Sequence, residues 1–153
     1  MNIINSFKGE YHWLSNFSPF SFKDENGKEW KTVEHYYQAH KTLDNNERNK
    51  IWMAKDPKEA KKLGRNVKIR DDWEIDGKLI CMIKAVNYKF EQNRNLIYRL
   101  INTGDSILIE GNRWHDNFWG NCYCQKCKSI QGQNKLGKIL MLIRKRYKKR
   151  YNK

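Results

Sequence analysis

The sequence predicts an α+β fold, mostly helical, formed by a single compact domain with a small N-terminal β element. Strand-like composition is concentrated in the first 32 of the 153 residues, whereas helical spacing of apolar residues dominates afterwards. One short strand returns late, at residues 107–109. This length suits one ordinary domain, and an aromatic content of 13% excludes a disordered chain, because disordered chains are poor in aromatic residues.

The N-terminal β element is predicted in two parts. Residues 1–7 have the isoleucine-rich composition of a strand. Residues 20–31 predict a β-hairpin, because alternating apolar and polar residues precede a Glu-Asn-Gly-Lys turn. Thr32 is the predicted N-cap of a helix over residues 33–43.

Five further helices are predicted, two of them, at 75–90 and 134–147, from apolar residues at helical spacing. One has strong start and stop signals: Asp56 caps it, Pro57 takes its first position, Glu59 follows the cap by three residues and Gly64 ends it. The remaining four are predicted over residues 46–54, 75–90, 95–102 and 134–147.

The chain is strongly basic, with a formal net charge of +14. Residues 144–153 contain seven basic and no acidic residues, so we divide the chain into a domain at 1–147 and a basic C-terminal tail at 148–153. A field of this sign attracts polyanions and predicts non-specific contact of the basic surface with nucleic acid. The alternative is a solvated surface that only aids solubility. Without an 18-residue apolar run or a signal-like N-terminus, we expect no membrane contact and a cytoplasmic location.

The helix predicted after Thr32 has one unusual face. Glu34, Gln38 and Lys41 lie at positions i, i+4 and i+7, and so share that face. A carboxylate, an amide and an amine in one row suit acid–base or nucleophilic chemistry. The alternative from spacing alone is an exposed polar face with ordinary i,i+4 support.

Residues 110–120 lack helical or strand periodicity and predict a loop that contains Trp114, Asp116 and Trp119. Tryptophan rings stack on bases or sugars, and aspartate accepts hydroxyl groups or activates water. In the alternative, the tryptophans only fill the core. A second polar–aromatic turn, Asn16-Phe17, adds a candidate for ligand binding.

Cys122, Cys124 and Cys127 are closely spaced in a chain without a signal-like start, which indicates metal binding or redox chemistry rather than structural disulfides. Tetrahedral zinc needs four ligands, and the fourth is either His115 or Cys81. The alternative is three thiols without metal. No segment has the His-Glu-x-x-His spacing of catalytic sites, so a bound zinc would be structural.

Five motifs occur in a fixed order and are far more specific together than alone: LSNF at 14–17, VEHYYQAHK at 33–41, AKKLGR at 60–65, NRWHDNFWG at 112–120 and GQNKLGKILM at 132–141. In this order they resemble the NADAR (NAD- and ADP-ribose-associated) superfamily over about residues 6–146. The resemblance implies a compact, largely helical α+β fold and hydrolysis of N-glycosidic bonds. Some family members are described as cleaving N-ribosylated riboflavin-pathway intermediates, and others as removing ADP-ribose from guanine bases in nucleic acid.

Motif matching carries the family's polar pocket onto particular residues of this chain. The catalytic candidates are Glu34, Lys41 and Asp116. The substrate-binding candidates are Asn16, Phe17, Gln38, Trp114 and Trp119. The sequence departs from the family pattern at His115, where we expect glycine, so this histidine either crowds the pocket or binds metal.

The resemblance therefore predicts a hydrolase that removes ADP-ribose from guanine bases of nucleic acid or nucleotides. The alternatives are an N-glycosidase for ribosylaminopyrimidine intermediates and a module that binds ADP-ribose without cleaving it. Glu34 and Asp116 would stabilise positive charge at the anomeric carbon and protonate the departing base. Lys41 would either bind phosphate or form a Schiff base with ring-opened ribose. No cofactor is required, and structural zinc is the one metal that the cysteines suggest.

Overall fold

The computed structural model describes residues 1–152. These residues form two compact units, one built from residues 1–15 together with 94–152 and the other from residues 16–93. Helices outweigh strands in both units, and every described strand is only two residues long. The prediction of a mostly helical α+β fold is confirmed.

The regular elements of residues 1–152 are numbered in chain order. The helices are α1 (Val33–Ala39), α2 (Asn45–Trp52), α3 (Pro57–Gly64), α4 (Lys78–Gln92), α5 (Arg94–Asn102) and α6 (Lys135–Tyr151). The strands are β1 (Ile3–Ile4), β2 (Phe22–Lys23), β3 (Glu29–Trp30), β4 (Ile107–Leu108), β5 (Gly111–Asn112) and β6 (Asn121–Cys122). Two 3₁₀ turns at Gly9–Leu14 and Gln125–Cys127 and a π turn at Trp73–Gly77 complete them.

In the unit that contains both chain ends, β1 pairs in parallel with β4. Both strands were predicted, and α6 packs against β4 and α5 around the buried side chains of Leu100, Leu108 and Leu140. The sequence did not predict β5 and β6, which also pair in parallel. Their residues are Gly111, Asn112, Asn121 and Cys122, which lack the isoleucine-rich composition that revealed β1 and β4.

Helix α6 ends at Tyr151, beyond its predicted end at 147. The Lys148 ammonium donates to the backbone oxygen of Gly104 at 2.7 Å, so the basic residues after 147 continue an attached helix. The division into a domain and a basic tail stays a prediction, and its last residue, Lys153, lies outside the described residues.

In the unit formed by residues 16–93, β2 and β3 pair antiparallel, which confirms the predicted hairpin. Asp24 stabilises the turn, because its Oδ1 accepts hydrogen bonds from the backbone N–H groups of Asn26 at 2.9 Å and Lys28 at 3.0 Å. Gly27 has a φ of 78°, a left-handed conformation that favours glycine.

Helix α1 is buried along its whole length and contacts α2, α3 and α4. Thr32 caps it as predicted, because its Oγ1 accepts a hydrogen bond from the His35 N–H at 3.1 Å. The alternative of an exposed polar face is therefore wrong. A seven-residue helix is unstable alone, so its neighbours hold this helix in place.

The predicted end of α1 at residue 43 is also wrong, because the helix ends at Ala39. The backbone oxygens of Lys41 and Thr42 accept hydrogen bonds from the Arg70 N–H at 2.8 Å and from Arg48 Nε at 2.6 Å. These bonds replace the helical ladder, so Lys41 lies in the turn after the helix rather than on its face.

Helices α2 and α3 begin at capping aspartates. The Oδ1 atom of Asp44 accepts from the Glu47 N–H at 2.9 Å, and that of Asp56 accepts from the Glu59 N–H at 2.8 Å. The predicted start of α3, with Pro57 in its first turn, is confirmed.

Helix α4 begins at Lys78 rather than at residue 75. Ile75 matched the apolar spacing, yet its side chain is 82% exposed and lies in the π turn before the helix. Across residues 1–152, no helix is long and apolar enough to cross a membrane.

Candidate active site

Glu34 and Gln38 form a buried pair on α1, with only 7% and 4% of their surfaces exposed. Gln38 Nε2 donates a hydrogen bond to Glu34 Oε1 at 2.7 Å, and the Glu34 N–H donates to the backbone oxygen of Asn16 at 3.2 Å. Burial of a carboxylate is unfavourable unless polar partners compensate for lost water. The pair therefore holds a carboxylate in a fixed orientation inside residues 16–93.

The oxygen of the Gln38 amide explains why residue 64 is glycine. Gln38 Oε1 is buried without a hydrogen-bond partner among the described residues, and a Cβ atom added at Gly64 would collide with it. Gly64 ends α3 as predicted, but its φ is not left-handed, so its role is close approach to Gln38 rather than a left-handed cap. The sequence could not distinguish these two roles of glycine.

Lys41 is half-buried, with its Nζ 5.9 Å from the centre of the Tyr37 ring. Burial lowers the pKa of Lys41 from its ordinary value, because a charged amine loses water there. The Glu34 carboxylate raises that pKa, whereas the positive charges of Lys61 and Arg65 lower it. The prediction that Lys41 shares a helix face with Glu34 is wrong, but the two groups still interact electrostatically.

Two cations near Lys41 were not among the predicted site residues. Lys61 lies on α3, with its Nζ 5.8 Å from the centre of the Phe17 ring, and Arg65 follows the end of α3. Both belong to the AKKLGR motif, which was the available signal. The motif alone gave them no role, so their link to Lys41 came from the folded structure.

Asn16 and Phe17 lie in the same unit as Glu34, Gln38 and Lys41. Asn16 Nδ2 contacts the Met82 sulfur at 3.4 Å, and its backbone oxygen receives the Glu34 N–H. The structure therefore brings these predicted residues into one group, the helix α1 group, consisting of Asn16, Phe17, Glu34, Gln38 and Lys41.

The histidines of the same motif are structural. His35 is fully buried, with Nδ1 at 2.8 Å from Thr32 Oγ1 and Nε2 at 3.0 Å from the backbone oxygen of Ala54. His40 stacks on Tyr36 at a ring-centre distance of 3.9 Å. Burial is the largest effect on both imidazoles and lowers the pKa of each, so neither is suited to carry a proton near neutral pH.

The second group of predicted residues lies in the tryptophan loop, residues 112–120, in the unit that contains both chain ends. The buried Asn112 organises this loop. Its Oδ1 accepts from the N–H groups of Trp114 at 3.3 Å and Asp116 at 3.1 Å, and its Nδ2 donates to the Asp116 backbone oxygen at 2.7 Å. Asn112 was not among the predicted site residues, although it begins the NRWHDNFWG motif, which was the available signal.

Asp116 also helps to shape the loop. Its Oδ1 accepts hydrogen bonds from the N–H groups of Phe118 at 3.1 Å and Trp119 at 2.9 Å. The Trp114 ring is 51% exposed, and Lys8 Nζ lies 5.8 Å from its centre. Trp119 is half-buried and meets Phe118 edge to face at 4.7 Å between ring centres. Trp114 therefore presents a ring for stacking, and Trp119 packs within the loop.

The cysteine cluster, consisting of His115, Cys122, Cys124 and Cys127, lies at the loop and just after it. One potential ligand atom from each residue falls within 4.8 Å of all the others. Of the two candidates for a fourth ligand, the structure brings in His115, whereas Cys81 is buried in α4. The cluster has the composition of a metal site.

Comparison with known proteins defines the class of this protein. The chain is 37% identical over 146 residues to N-glycosidase YbiA of Shigella sonnei, covering 93% of the chain and 86% of that protein. It is similar in structure to Escherichia coli YbiA, solved by NMR, with a TM-score of 0.83, 33% identity and coverage of 99% of this chain and 88% of that chain. It is also 38% identical over 161 residues to the chloroplastic riboflavin biosynthesis protein PYRR of Zea mays. That match covers 94% of this chain but only 25% of the maize protein.

The fold and these relatives define an N-glycosidase. The chain belongs to the NADAR domain family, which matches residues 5–148. The resemblance seen in the five sequence motifs is confirmed. The alternative of a module that binds without cleaving disagrees with the N-glycosidase relatives.

Proposed function

We propose that this N-glycosidase removes ADP-ribose from guanine bases of nucleic acid or nucleotides. The observation that carries the proposal is the charge arrangement around the half-buried Lys41, on which Lys61, Arg65 and the Glu34 carboxylate all act electrostatically. An ADP-ribosyl group requires cations for its diphosphate. It also requires a carboxylate for the ribose carbon that becomes positive as the glycosidic bond breaks.

Hydrolysis adds water to the anomeric carbon. The bond from that carbon to the base nitrogen breaks, the nitrogen keeps the electron pair, and it takes up a proton. Glu34 is suited to stabilise the positive carbon, because the Gln38 amide fixes its Oε1 before the reaction begins. Asp116 is proposed as the second carboxylate because it occupies the family's loop motif.

Lys41 has two proposed roles that differ chemically. As a cation, its ammonium would bind phosphate. As a neutral amine, it would attack the anomeric carbon of the ring-opened ribosyl group, the base would leave with the electron pair of the glycosidic bond and take up a proton, and water would then hydrolyse the resulting lysine imine. Burial lowers the pKa of Lys41 and so increases the neutral fraction, which favours the covalent role.

A second candidate substrate is a ribosylaminopyrimidine of the riboflavin pathway. Two relatives support it by name: the maize PYRR protein, and the riboflavin biosynthesis protein VVA0006 of Vibrio vulnificus, which is 37% identical over 134 residues. The chain spans only 25% and 34% of the length of those proteins. Each of them therefore contains other regions that this chain does not match.

The proposed reaction uses acid–base and charge-stabilising groups alone, so it needs no cofactor. If the cysteine cluster holds zinc, four protein ligands leave no open position for water, and the ion would be structural rather than catalytic. A cytoplasmic location is part of the proposal, because nucleotides and nucleic acid are available there.

The test supplies ADP-ribosylated guanosine, ADP-ribosylated DNA and the ribosylaminopyrimidine separately and measures product masses. We expect ADP-ribose together with guanosine or unmodified DNA, formed faster than any pyrimidine product. Faster cleavage of the pyrimidine would favour the second candidate. Cleavage of none of the three would contradict both.

A further inference from the structure

The cysteine cluster has the spacing that one tetrahedral zinc ion requires. His115 Nδ1 lies 3.3 Å from Cys127 Sγ and 3.4 Å from Cys124 Sγ. Zinc bonds of about 2.3 Å to sulfur and about 2.0 Å to nitrogen, at tetrahedral angles, separate nitrogen from sulfur by about 3.5 Å and two sulfurs by about 3.8 Å. All pairs of potential ligand atoms in the cluster lie within 4.8 Å of each other, so the side chains need to move only slightly to bind zinc.

The surroundings of the cluster match those of a structural metal site. Cys122 and Cys127 are 2% and 5% exposed, Cys124 is half-buried and His115 is exposed, so the cluster lies at the surface of its unit with two of its thiols buried. The His115 N–H points to Cys122 Sγ at 3.4 Å, and the Cys122 N–H donates to Asn117 Oδ1 at 2.9 Å. Hydrogen bonds of this kind orient ligands and partly neutralise thiolate charge.

The cluster is joined to the tryptophan loop through the backbone of His115. This residue has a φ of 69°, a left-handed conformation that is uncommon outside glycine, although asparagine, aspartate and histidine adopt it more often than other residues. It stands between Trp114 and Asp116, two of the predicted site residues. Glycine at this position would adopt the conformation freely but could not bind metal.

We propose that His115, Cys122, Cys124 and Cys127 bind one zinc ion, and that this ion fixes the conformation of the tryptophan loop. The zinc takes all four ligands from the chain and has no part in the chemical step. His115 acts as a positioning residue, because its bond to zinc holds its left-handed backbone and thereby the orientation of its two neighbours. The proposed zinc site does not depend on which substrate the enzyme cleaves.

The first test measures zinc by elemental analysis in protein purified without a metal-binding tag. We expect about one zinc per chain in the unmodified protein. His115→Gly and Cys124→Ala should lose most of it, and Cys81→Ala is the matched control that removes a thiol outside the cluster. His115→Gly is informative because glycine relieves the backbone conformation and removes only the ligand. Unmodified protein that neither contains nor takes up zinc would overturn the proposal, as would full zinc content in both ligand variants.

The second test replaces zinc with cobalt in the unmodified protein, which avoids variants that fail to fold. Cobalt held by three thiolates and one imidazole should give the intense absorption of tetrahedral sulfur coordination. Thiol titration after chelation should then recover all four cysteines in reduced form. A disulfide between two cluster cysteines in the purified protein, without zinc, would overturn the proposal.

The third test examines the loop itself by hydrogen exchange. Removal of zinc should speed exchange of the N–H groups of Trp114, Asp116 and Trp119, which are bonded within the loop. Helix α5, in the same unit, serves as the internal control and should exchange at an unchanged rate. Unchanged exchange in the loop after complete zinc removal would sink the positioning role.

Discussion

The carboxylate of Glu34 is held by a chain of contacts that ends at a glycine. Gln38 donates to Glu34, and the opposite face of its amide lies against Gly64. The contact with Gly64 limits the motion of the Gln38 amide, and the amide in turn limits the motion of the Glu34 carboxylate. A buried amide that donates a hydrogen bond to a carboxylate has few other orientations. The geometry of the proposed catalytic carboxylate thus depends on two helices rather than on one residue.

Glu34→Gln should lower turnover by about a hundredfold or more while the fold survives. The substitution removes the negative charge but keeps an oxygen for the Gln38 amide, so the loss reflects charge stabilisation in the transition state. Steady-state kinetics on ADP-ribosylated guanosine measure it. Glu29→Gln on β3 removes an exposed charge in the same unit and is the control. Near-normal turnover of Glu34→Gln would remove Glu34 from the catalytic role.

Asp116→Asn should also lower turnover by about a hundredfold or more. Asparagine keeps an Oδ1 that can accept from the Phe118 and Trp119 N–H groups, so the loop turn survives and only charge is lost. Asp116→Ala removes both properties and should lower thermal stability as well. If Asp116 is structural only, Asp116→Asn will remain active and Asp116→Ala alone will be impaired.

Borohydride added during turnover should trap a covalent adduct on Lys41 if the amine attacks ring-opened ribose, because reduction fixes the imine. Intact mass followed by peptide mapping to residues 35–48 locates the adduct, and Lys41→Ala should lose both adduct and activity. Lys62→Ala, on the exposed side of α3, is the control. No mass gain under active turnover would exclude the covalent role.

The same Lys41 mechanism has a pH signature. Burial lowers the pKa of Lys41, so the neutral amine forms at lower pH than for a solvated lysine. The rate should therefore rise with pH through this lowered pKa. If Lys41 binds phosphate instead, the charged form is needed, and activity should fall over the same range.

At the scale of elements, α3 contributes cations to the neighbourhood of α1. Lys61→Ala should raise KM for ADP-ribosylated guanosine by about tenfold, because one charge-assisted contact to phosphate is worth about 1.5–3 kcal/mol before solvent screening reduces it. Lys62→Ala, the exposed neighbour on the same helix, should leave KM unchanged. Equal KM values for the two variants would show that α3 does not bind the substrate phosphate.

Local signals predicted where elements begin better than where they end. The caps at Thr32 and Asp56 act through side chains within three residues, so the sequence alone reveals them. The end of α1 coincides with hydrogen bonds that Arg48 and Arg70 donate to the backbone oxygens of Thr42 and Lys41. Arg70 lies beyond α3 in the sequence, so no pattern local to α1 contains that information.

The same difference applies to the candidate site. Short motifs identified the residue types of the helix α1 group, and the structure brought five of them into one unit. The organising role of Asn112 and the choice of His115 over Cys81 could not be predicted, because both depend on the path of the chain through β5 and β6. A short motif shows which chemical groups a segment carries, whereas the partners of those groups are determined only when the chain folds.

At the scale of the whole molecule, net charge overstates the basic surface that is free to meet a polyanion. Arg144 is buried and donates to Thr103 Oγ1 at 2.7 Å and to the Ser106 backbone oxygen at 2.8 Å. Lys148 is attached to Gly104. Other basic side chains of α6 are exposed, namely Lys145, Lys149 and Arg150.

Replacing Lys145, Lys149 and Arg150 together with alanine should weaken binding to ADP-ribosylated DNA but leave turnover of ADP-ribosylated guanosine unchanged. A variant that makes three fewer phosphate contacts releases fewer counterions when it binds. The slope of log affinity against log salt concentration should therefore become shallower by about two to three. The control removes three exposed charges elsewhere, at Lys50, Lys55 and Lys58. Equal salt slopes for the two triple variants would assign the effect to total charge rather than to α6.

Helix α1 has no face of its own that meets solvent, and it is too short to persist without α2, α3 and α4. The carboxylate at its second residue therefore exists in working form only while that packing is intact. The proposed role of Glu34 therefore makes activity depend on the folding of residues 16–93. We expect activity to be lost from every molecule in which this unit has opened, including in mixtures where spectroscopic signals average over intact and partly opened chains.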